Sequence, residues 1–82
     1  ENQFSGMSIF PNPTQNQLTI SNLPIDFSGT VSIYDAMGQL MFSEHKIGSL
    51  FNIQTGQLNS GIYIIQVKTD KGEMVTRKFI KE

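Results

Sequence analysis

The chain has 82 residues, a formal net charge of −1, and neither cysteine nor tryptophan. A chain of this length forms one small domain, which buries roughly 60% of the surface that its unfolded form exposes. The lack of cysteine excludes disulfides, thiolate metal sites and a thiol nucleophile, and no apolar run approaches the roughly 20 residues that a membrane-spanning helix requires.

The first six residues are predicted to be the end of a linker, because Glu1 to Gly6 is polar apart from Phe4. No charged segment followed by an apolar one, the pattern of an export signal, precedes Met7. The start at Glu1 without an initiator methionine favours a segment of a longer polypeptide. We therefore divide the chain into a linker at residues 1–6 and a domain at residues 7–82.

Short apolar stretches that alternate with polar residues predict β-strands along the whole domain. Seven strands are expected, near residues 7–10, 17–21, 29–34, 39–44, 50–54, 61–69 and 73–80. Pro11-Asn12-Pro13 ends the first of them, because proline lacks the N–H that a ladder needs. No window of ten or more residues shows a helical period. The predicted fold is an all-β, seven-stranded, antiparallel β-sandwich of immunoglobulin-like type.

The first hairpin is predicted around a four-residue turn at Asp35–Gly38, which pairs Ile33 with Leu40 and Val31 with Phe42. Leu58 is expected to close the core just before the last hairpin. Tyr34 is expected to point outward. The inner faces of the two sheets are predicted to hold Ile9, Leu18, Ile20, Val31, Ile33, Leu40, Phe42, Phe51, Ile53, Tyr63, Ile65, Val67, Val75 and Phe79.

The last hairpin is predicted around a three-residue turn at Asp70–Gly72, with Thr69 closing against Glu73. This register pairs Val67 with Val75, Tyr63 with Phe79, and Ile65 with Arg77. Arginine on an apolar face is unfavourable unless a bulge or an exposed end of the sheet lies there.

Basic residues are concentrated in this hairpin. Residues 68–82 contain five of the six lysines and arginines and have a net charge of +2, whereas the rest of the chain has −3. Lysines on an edge strand discourage edge-to-edge association. A terminal strand that a partner protein recognises would show the same pattern, and both interpretations remain open.

No pattern of catalytic, cofactor-binding or metal-binding residues is found. His45 is interpreted as a solvated surface histidine, and Asp26, Asp35 and Asp70 as turn residues rather than calcium ligands. The glycines occur singly, which excludes a phosphate-binding loop of known pattern. The weak charge and the lack of outward aromatic rows give no support for nucleic-acid binding. We therefore predict that the domain is not an enzyme and has no cofactor.

Short motifs occur in order along the chain: Ile9-Phe10-Pro11-Asn12-Pro13-Thr14, Leu18-Thr19-Ile20, Val31-Ser32-Ile33-Tyr34-Asp35 with Gly38 after it, Leu58, Gly61-Ile62-Tyr63 and Arg77-Lys78-Phe79-Ile80-Lys81-Glu82. Each is weak alone, but together the chain from Met7 onward resembles the C-terminal sorting domain of the type IX (Por) secretion system, type A. The stretch between Phe42 and Phe51 has no recognisable family pattern.

The resemblance implies a folded signal that directs an attached cargo from the periplasm through an outer-membrane translocon, to the cell surface or the extracellular space. A surface sortase of this system commonly removes the domain, and we expect the cut at or upstream of residues 1–6. The implied partners are translocon and sortase components and the upstream cargo domain. The motif positions that the resemblance assigns are Pro11, Asn12 and Pro13. The positions assigned to partner recognition are Gly61, Tyr63, Arg77, Lys78, Phe79, Ile80 and Lys81.

An alternative from another class is an immunoglobulin-like accessory module that binds carbohydrate or stabilises a neighbouring enzyme. Both interpretations share the fold. A sorting domain must end the polypeptide, whereas an accessory module can lie anywhere, so the full reading frame distinguishes the two.

Overall fold

The computed structural model describes residues 6–82 and contains seven strands. They are β1 (Ser8–Phe10), β2 (Gln17–Ser21), β3 (Ser28–Asp35), β4 (Leu40–Ile47), β5 (Phe51–Gln54), β6 (Gly61–Thr69) and β7 (Met74–Lys81). All seven predicted strands are present, with ends displaced by at most three residues. The described residues include no helix, and hence none that could cross a membrane. Of the predicted linker, only Gly6 lies within the described residues.

The strands form two sheets in the order β1-β2-β5 and β4-β3-β6-β7. All pairings between the strands are antiparallel. The sheets enclose one apolar core, as the predicted sandwich requires. Its buried apolar residues are Met7, Leu18, Ile20, Leu23, Phe27, Val31, Ile33, Ile53, Leu58, Tyr63, Ile65, Val67 and Phe79.

The predicted core was incomplete at the loops and wrong at one strand position. Leu23 and Phe27 are buried although they lie between β2 and β3, outside any alternating pattern. Leu40, predicted in the core, is 53% exposed. Leu58 is buried as expected.

A β-bulge in the first hairpin explains the error at Leu40. The register shifts between Ile33 and Tyr34, so that Ile33 pairs with Phe42 and Tyr34 with Leu40. The predicted pairs of Ile33 with Leu40 and Val31 with Phe42 are therefore wrong. The extra residue moves Leu40 to the outer face, because side chains alternate between faces with a period of two.

The last hairpin has the predicted register throughout. Tyr63 pairs with Phe79, Val67 with Val75 and Ile65 with Arg77. The Thr69 N–H donates to the Glu73 carbonyl over 2.7 Å, and Gly72 supplies the left-handed residue of the turn at φ 98°. A long, regularly alternating hairpin therefore ends the described chain.

The sandwich has two ends with different contents. At one end, which we call the upstream end, Gly6 lies beside Asn22, and the Leu23 N–H donates to the Ser49 carbonyl over 3.2 Å. At the other end lie the turn after β3 and the last residues of β7. The longest dimension of the molecule is 33 Å. The chain thus enters the domain at one end of the strands and completes β7 at the other.

Candidate recognition site on the last strand

The Pro11–Thr14 segment lies against the outer edge of β7. The Ile80 N–H donates to Asn12 Oδ1 over 2.9 Å. The Thr14 N–H donates to the Ile80 carbonyl over 2.8 Å, and the Glu82 N–H donates to the Thr14 carbonyl over 2.9 Å. We call this contact between residues 11–14 and 80–82 the clasp. It joins two motif segments from distant parts of the sequence into one unit.

The buried side chain of Thr14 anchors the clasp through hydrogen bonds to the interior. Thr14 is fully buried, its Oγ1 donates to the Gln17 carbonyl over 2.7 Å, and it lies 3.3 Å from Oγ1 of the equally buried Thr55. The Thr55 N–H donates to the Asn16 carbonyl. Buried hydroxyls require such partners. Sequence reasoning assigned no role to Thr14 or Thr55, although Thr14 directly follows the proline motif.

The local sequence explains why Asn12 supplies a side-chain acceptor to the edge of β7. Pro11 and Pro13 have no N–H, so the segment cannot form a regular ladder with that edge. The Asn12 amide substitutes for the missing backbone group, and Thr14, the first residue after the prolines, resumes backbone pairing as an isolated parallel bridge with Lys81.

We expect Asn12→Ala to lower the free energy of unfolding by about 1 kcal/mol, since it removes one hydrogen bond from the strand end. Asn12→Asp keeps the acceptor oxygen and should stay close to the original stability. Urea unfolding measures both variants, and amide hydrogen exchange should show loss of protection at the Ile80 N–H in Asn12→Ala only. Equal protection in the two variants would contradict the role of the side chain.

The edge of β7 is open beyond the clasp. Alternate residues of an antiparallel strand point their polar main-chain groups to the same side, so Thr76 and Lys78 share the orientation of Ile80. The Thr76 carbonyl accepts a hydrogen bond from Arg77 Nη1 over 3.1 Å. Within residues 6–82, no group bonds the N–H of Thr76 or Lys78. The middle of β7 therefore offers backbone groups to another strand.

Two of the residues assigned to recognition are core residues. Tyr63 and Phe79 are 5% and 0% exposed, and their rings stack with centroids 5.6 Å apart. The Tyr63 hydroxyl donates to the Asn59 carbonyl over 2.6 Å. A tyrosine bonded to backbone a few residues upstream is a tyrosine corner, a feature of immunoglobulin-like sandwiches. In this structure these rings support β7 from inside and present no surface to a partner.

Lys81 was assigned to partner recognition, but its side chain is buried. It is 8% exposed and lies opposite Gly61 on the inner side of β7, because it continues the period that buries Phe79. Its Nζ donates to the main-chain oxygen of Glu82 over 3.0 Å. The stem is thus covered while the ammonium reaches the strand end.

The other charged residues of β7 differ in their surroundings. Arg77 lies opposite Ile65 as predicted and is half-buried. No bulge interrupts that ladder, and the guanidinium turns outward to the Thr76 carbonyl because β7 is an edge strand. Lys78 is exposed, and Ile80 is 43% exposed. Of the seven residues assigned to recognition, these two are the exposed ones.

A second polar cluster lies at the upstream end. Ser28 Oγ donates to Asp70 Oδ2 over 2.5 Å, and His45 Nε2 lies 3.3 Å from both Ser28 Oγ and Asp70 Oδ1. The hydrogen bond from Ser28 is the main reason why the pKa of Asp70 is lowered, and His45 adds to it. Asp70 therefore bonds across to β3 and β4, whereas we expected it to bond within its own turn.

This cluster lacks the geometry of a catalytic triad. A triad histidine contacts its carboxylate and its nucleophile through different ring nitrogens, whereas His45 faces both through Nε2. In the described part of the chain, no three His, Asp or Glu side chains converge as metal ligands. Asp35 forms the expected turn, because its Oδ1 accepts hydrogen bonds from the N–H groups of Met37 and Gln39.

Both a family model and an individual protein match the sequence of this chain. Residues 8–82 match a family model described as a secretion system C-terminal sorting domain. An endo-acting ulvan lyase of Formosa agariphila is 40% identical over 68 residues, which are 82% of this chain and 13% of the lyase. The chain therefore spans only a small part of the length of that curated relative.

Solved structures share the fold. PorZ, described as an essential surface component of the type-IX secretion system of Porphyromonas gingivalis, has a TM-score of 0.79 at 20% identity, covering 98% of this chain and 12% of that chain. A DUF3244 family protein from Bacteroides vulgatus with an immunoglobulin-like β-sandwich fold has a TM-score of 0.81 at 19% identity, covering 100% of this chain and 90% of that one. These likenesses confirm the predicted immunoglobulin-like sandwich.

Proposed function

The chain belongs to the family of secretion system C-terminal sorting domains, and we propose that it directs an attached cargo protein through the outer-membrane translocon of the type IX system. The family indicates a sorting signal of this system, carried by proteins that reach the cell surface or the extracellular space. On this proposal the cargo first enters the periplasm, where the folded domain contacts the translocon. The domain is then a substrate of the machinery and not a catalyst.

The observation that carries the proposal is the family match over residues 8–82, nearly the whole chain. The clasp adds structural support, because it places the proline motif and the end of the basic strand on one edge. Edge strands with open backbone groups accept a further strand from a partner, and positive charge steers an acidic one. We therefore assign recognition to the exposed part of β7.

The recognition residues divide by burial into two roles. Lys78, Ile80 and the outward guanidinium of Arg77 are proposed to touch the partner, since they reach solvent. Gly61, Tyr63, Phe79 and Lys81 are proposed to act by holding β7 in place. Pro11, Asn12 and Pro13 are proposed to keep the end of β7 ordered through the clasp.

Removal by a sortase is proposed at or upstream of residues 1–6, which lie outside the described residues except for Gly6. Gly6 is exposed and lies at the upstream end, away from the clasp. A protease requires an extended, accessible backbone, and a linker supplies it. Mass analysis of the processed cargo should then find its new carboxyl terminus in or before this segment. A cut within residues 8–82 would contradict the proposal.

The direct test fuses residues 1–82 to a periplasmic reporter in a host with a type IX system. We expect the reporter on the surface or in the medium, and its retention in the periplasm would contradict the proposed function. A reporter without the domain is the control.

The charges of β7 can be tested in the same fusion. We expect Arg77→Gln with Lys78→Gln to lower the exported fraction by on the order of tenfold, because the steering charge is lost while strand length is kept. Lys68→Gln with Lys71→Gln removes the same charge from exposed positions elsewhere in the hairpin and should export normally. Urea unfolding of each purified domain separates export from stability. If the first variant is exported normally, the charges of Arg77 and Lys78 only discourage edge-to-edge association and take no part in recognition.

A further inference from the structure

The outer face of the four-stranded sheet is divided into a polar and an apolar half. One row across the four strands is polar and consists of Ser43, Ser32, Gln66 and Thr76. Toward the clasp, the same face becomes apolar. The outer apolar patch consists of Tyr34, Leu40, Ile62, Ile64 and Ile80.

The patch is continuous across all four strands. Leu40 pairs with Tyr34, Tyr34 with Ile64, and Ile62 with Ile80. Leu40, Ile62 and Ile80 are 53%, 49% and 43% exposed, and the other two are half-buried. A sheet face in water normally carries polar residues, and a contiguous apolar area on it marks a binding surface.

Lys78 continues the row of paired residues Leu40, Tyr34 and Ile64, since it pairs with Ile64 on the neighbouring strand. Among residues 6–82, no carboxylate lies within ion-pair distance of its ammonium. The open N–H groups of Thr76 and Lys78 lie beside it on the edge of the sheet. The patch therefore combines apolar area, a cation that has no carboxylate partner within residues 6–82, and a strand edge that is open in the same part of the chain.

These three properties distinguish between the possible binding partners of the patch. A symmetric pairing of two copies through the patch would bury both Lys78 side chains without a counter-charge, because the patch of the second copy contains no carboxylate. An anionic membrane attracts clusters of four to eight basic residues, whereas this patch carries one. A protein surface with apolar side chains and a carboxylate opposite Lys78 satisfies all three properties.

We propose that the outer apolar patch, with Lys78, is the docking surface for a protein component of the secretion machinery. This inference rests on the proposed function and specifies the surface that the machinery recognises. It adds Tyr34, Leu40, Ile62 and Ile64 to recognition and assigns the binding to a sheet face as well as an edge.

The test compares two matched double variants in the reporter fusion. Ile62→Thr with Ile80→Thr makes the patch polar and keeps β-branched side chains that suit a strand. Ile25→Thr with Ile47→Thr is the control, since these residues are 88% and 71% exposed and lie toward the upstream end. We expect the patch variant to lose export by about tenfold or more, a typical effect of truncating central interface contacts, and the control to change it less than twofold.

The outcomes separate the two proposals. If the unaltered domain exports its reporter and the patch variant does so equally well, the docking surface is wrong and the proposed function stands. If the unaltered domain exports nothing, the proposed function fails and the inference with it. Sedimentation of the unaltered chain as a dimer, with the patch variant a monomer, would identify a second copy as the occupant and overturn the inference.

A second pair keeps the inference testable if the threonine variant unfolds. Lys78→Glu reverses the charge on an exposed side chain and should lower export by about tenfold through repulsion of the partner carboxylate. Lys71→Glu makes the same change in the exposed turn and should have no effect. Equal export of the two variants would overturn the assignment of a carboxylate-bearing partner.

Discussion

Replacing Gly29 by alanine should lower the free energy of unfolding by about 3 kcal/mol or more, at the upper end of the cost of overpacking. A Cβ at this position would lie 2.1 Å from the Lys68 carbonyl oxygen and 2.9 Å from Cζ of Phe27. The first atom is backbone of β6, so relief requires β3 and β6 to move apart at this end of their ladder. The Phe27 ring is buried and has little room to move. For a domain with a total stability of about 5 to 15 kcal/mol, the loss is large.

Gly56→Ala is the matched control for this prediction. Its added Cβ would meet Asn16 Oδ1 at 3.5 Å, an ordinary contact, and no left-handed backbone is required there. Urea unfolding should show a change of less than about 0.5 kcal/mol for this variant, as for most surface substitutions. A similar, small loss for Gly29→Ala would mean that the two central strands can move apart without breaking their ladder.

The second large effect is expected for Tyr63→Ala, at about 3 to 5 kcal/mol, the usual cost of deleting a buried aromatic ring. The substitution removes the stacking on Phe79 and the hydrogen bond to the Asn59 carbonyl. It therefore loosens β7 from the inside and the loop before β6 at the same time.

Tyr63→Phe separates these two contributions. It keeps the ring and removes the hydroxyl, so it should cost about 1 kcal/mol, the net worth of one hydrogen bond. Equilibrium unfolding of the two variants measures the difference directly. If Tyr63→Phe costs as much as Tyr63→Ala, the corner hydrogen bond and not the ring maintains this part of the core.

Sequence patterns predicted the last hairpin down to its register because several local signals agree there. Gly72 supplies the left-handed turn residue, and Val67 and Val75 then face each other on the buried side. The first hairpin has equally clear strands, but its bulge adds one residue to β4, and no composition signal marks it. Because the prediction did not count this residue, it assigned Leu40 to the core, whereas Leu40 lies on the surface.

The candidate recognition site was predictable only in part. Resemblance to the family identified Asn12 and Ile80, but their hydrogen bond joins positions 68 residues apart, and no local period encodes it. The bridge between Thr14 and Lys81 likewise joins distant segments. The outer apolar patch was missed because its members come from four strands and become neighbours only through register.

The clasp also affects the order of events during folding. Contacts between residues so far apart in sequence raise the contact order, and chain entropy delays them until loops between them have closed. The contact between residues 11–14 and 80–82 closes a loop that contains strands of both sheets. If the machinery reads this end of β7, it reads a surface that incomplete, nicked or misfolded chains lack. Sorting would then double as quality control, with correct folding as the condition for export.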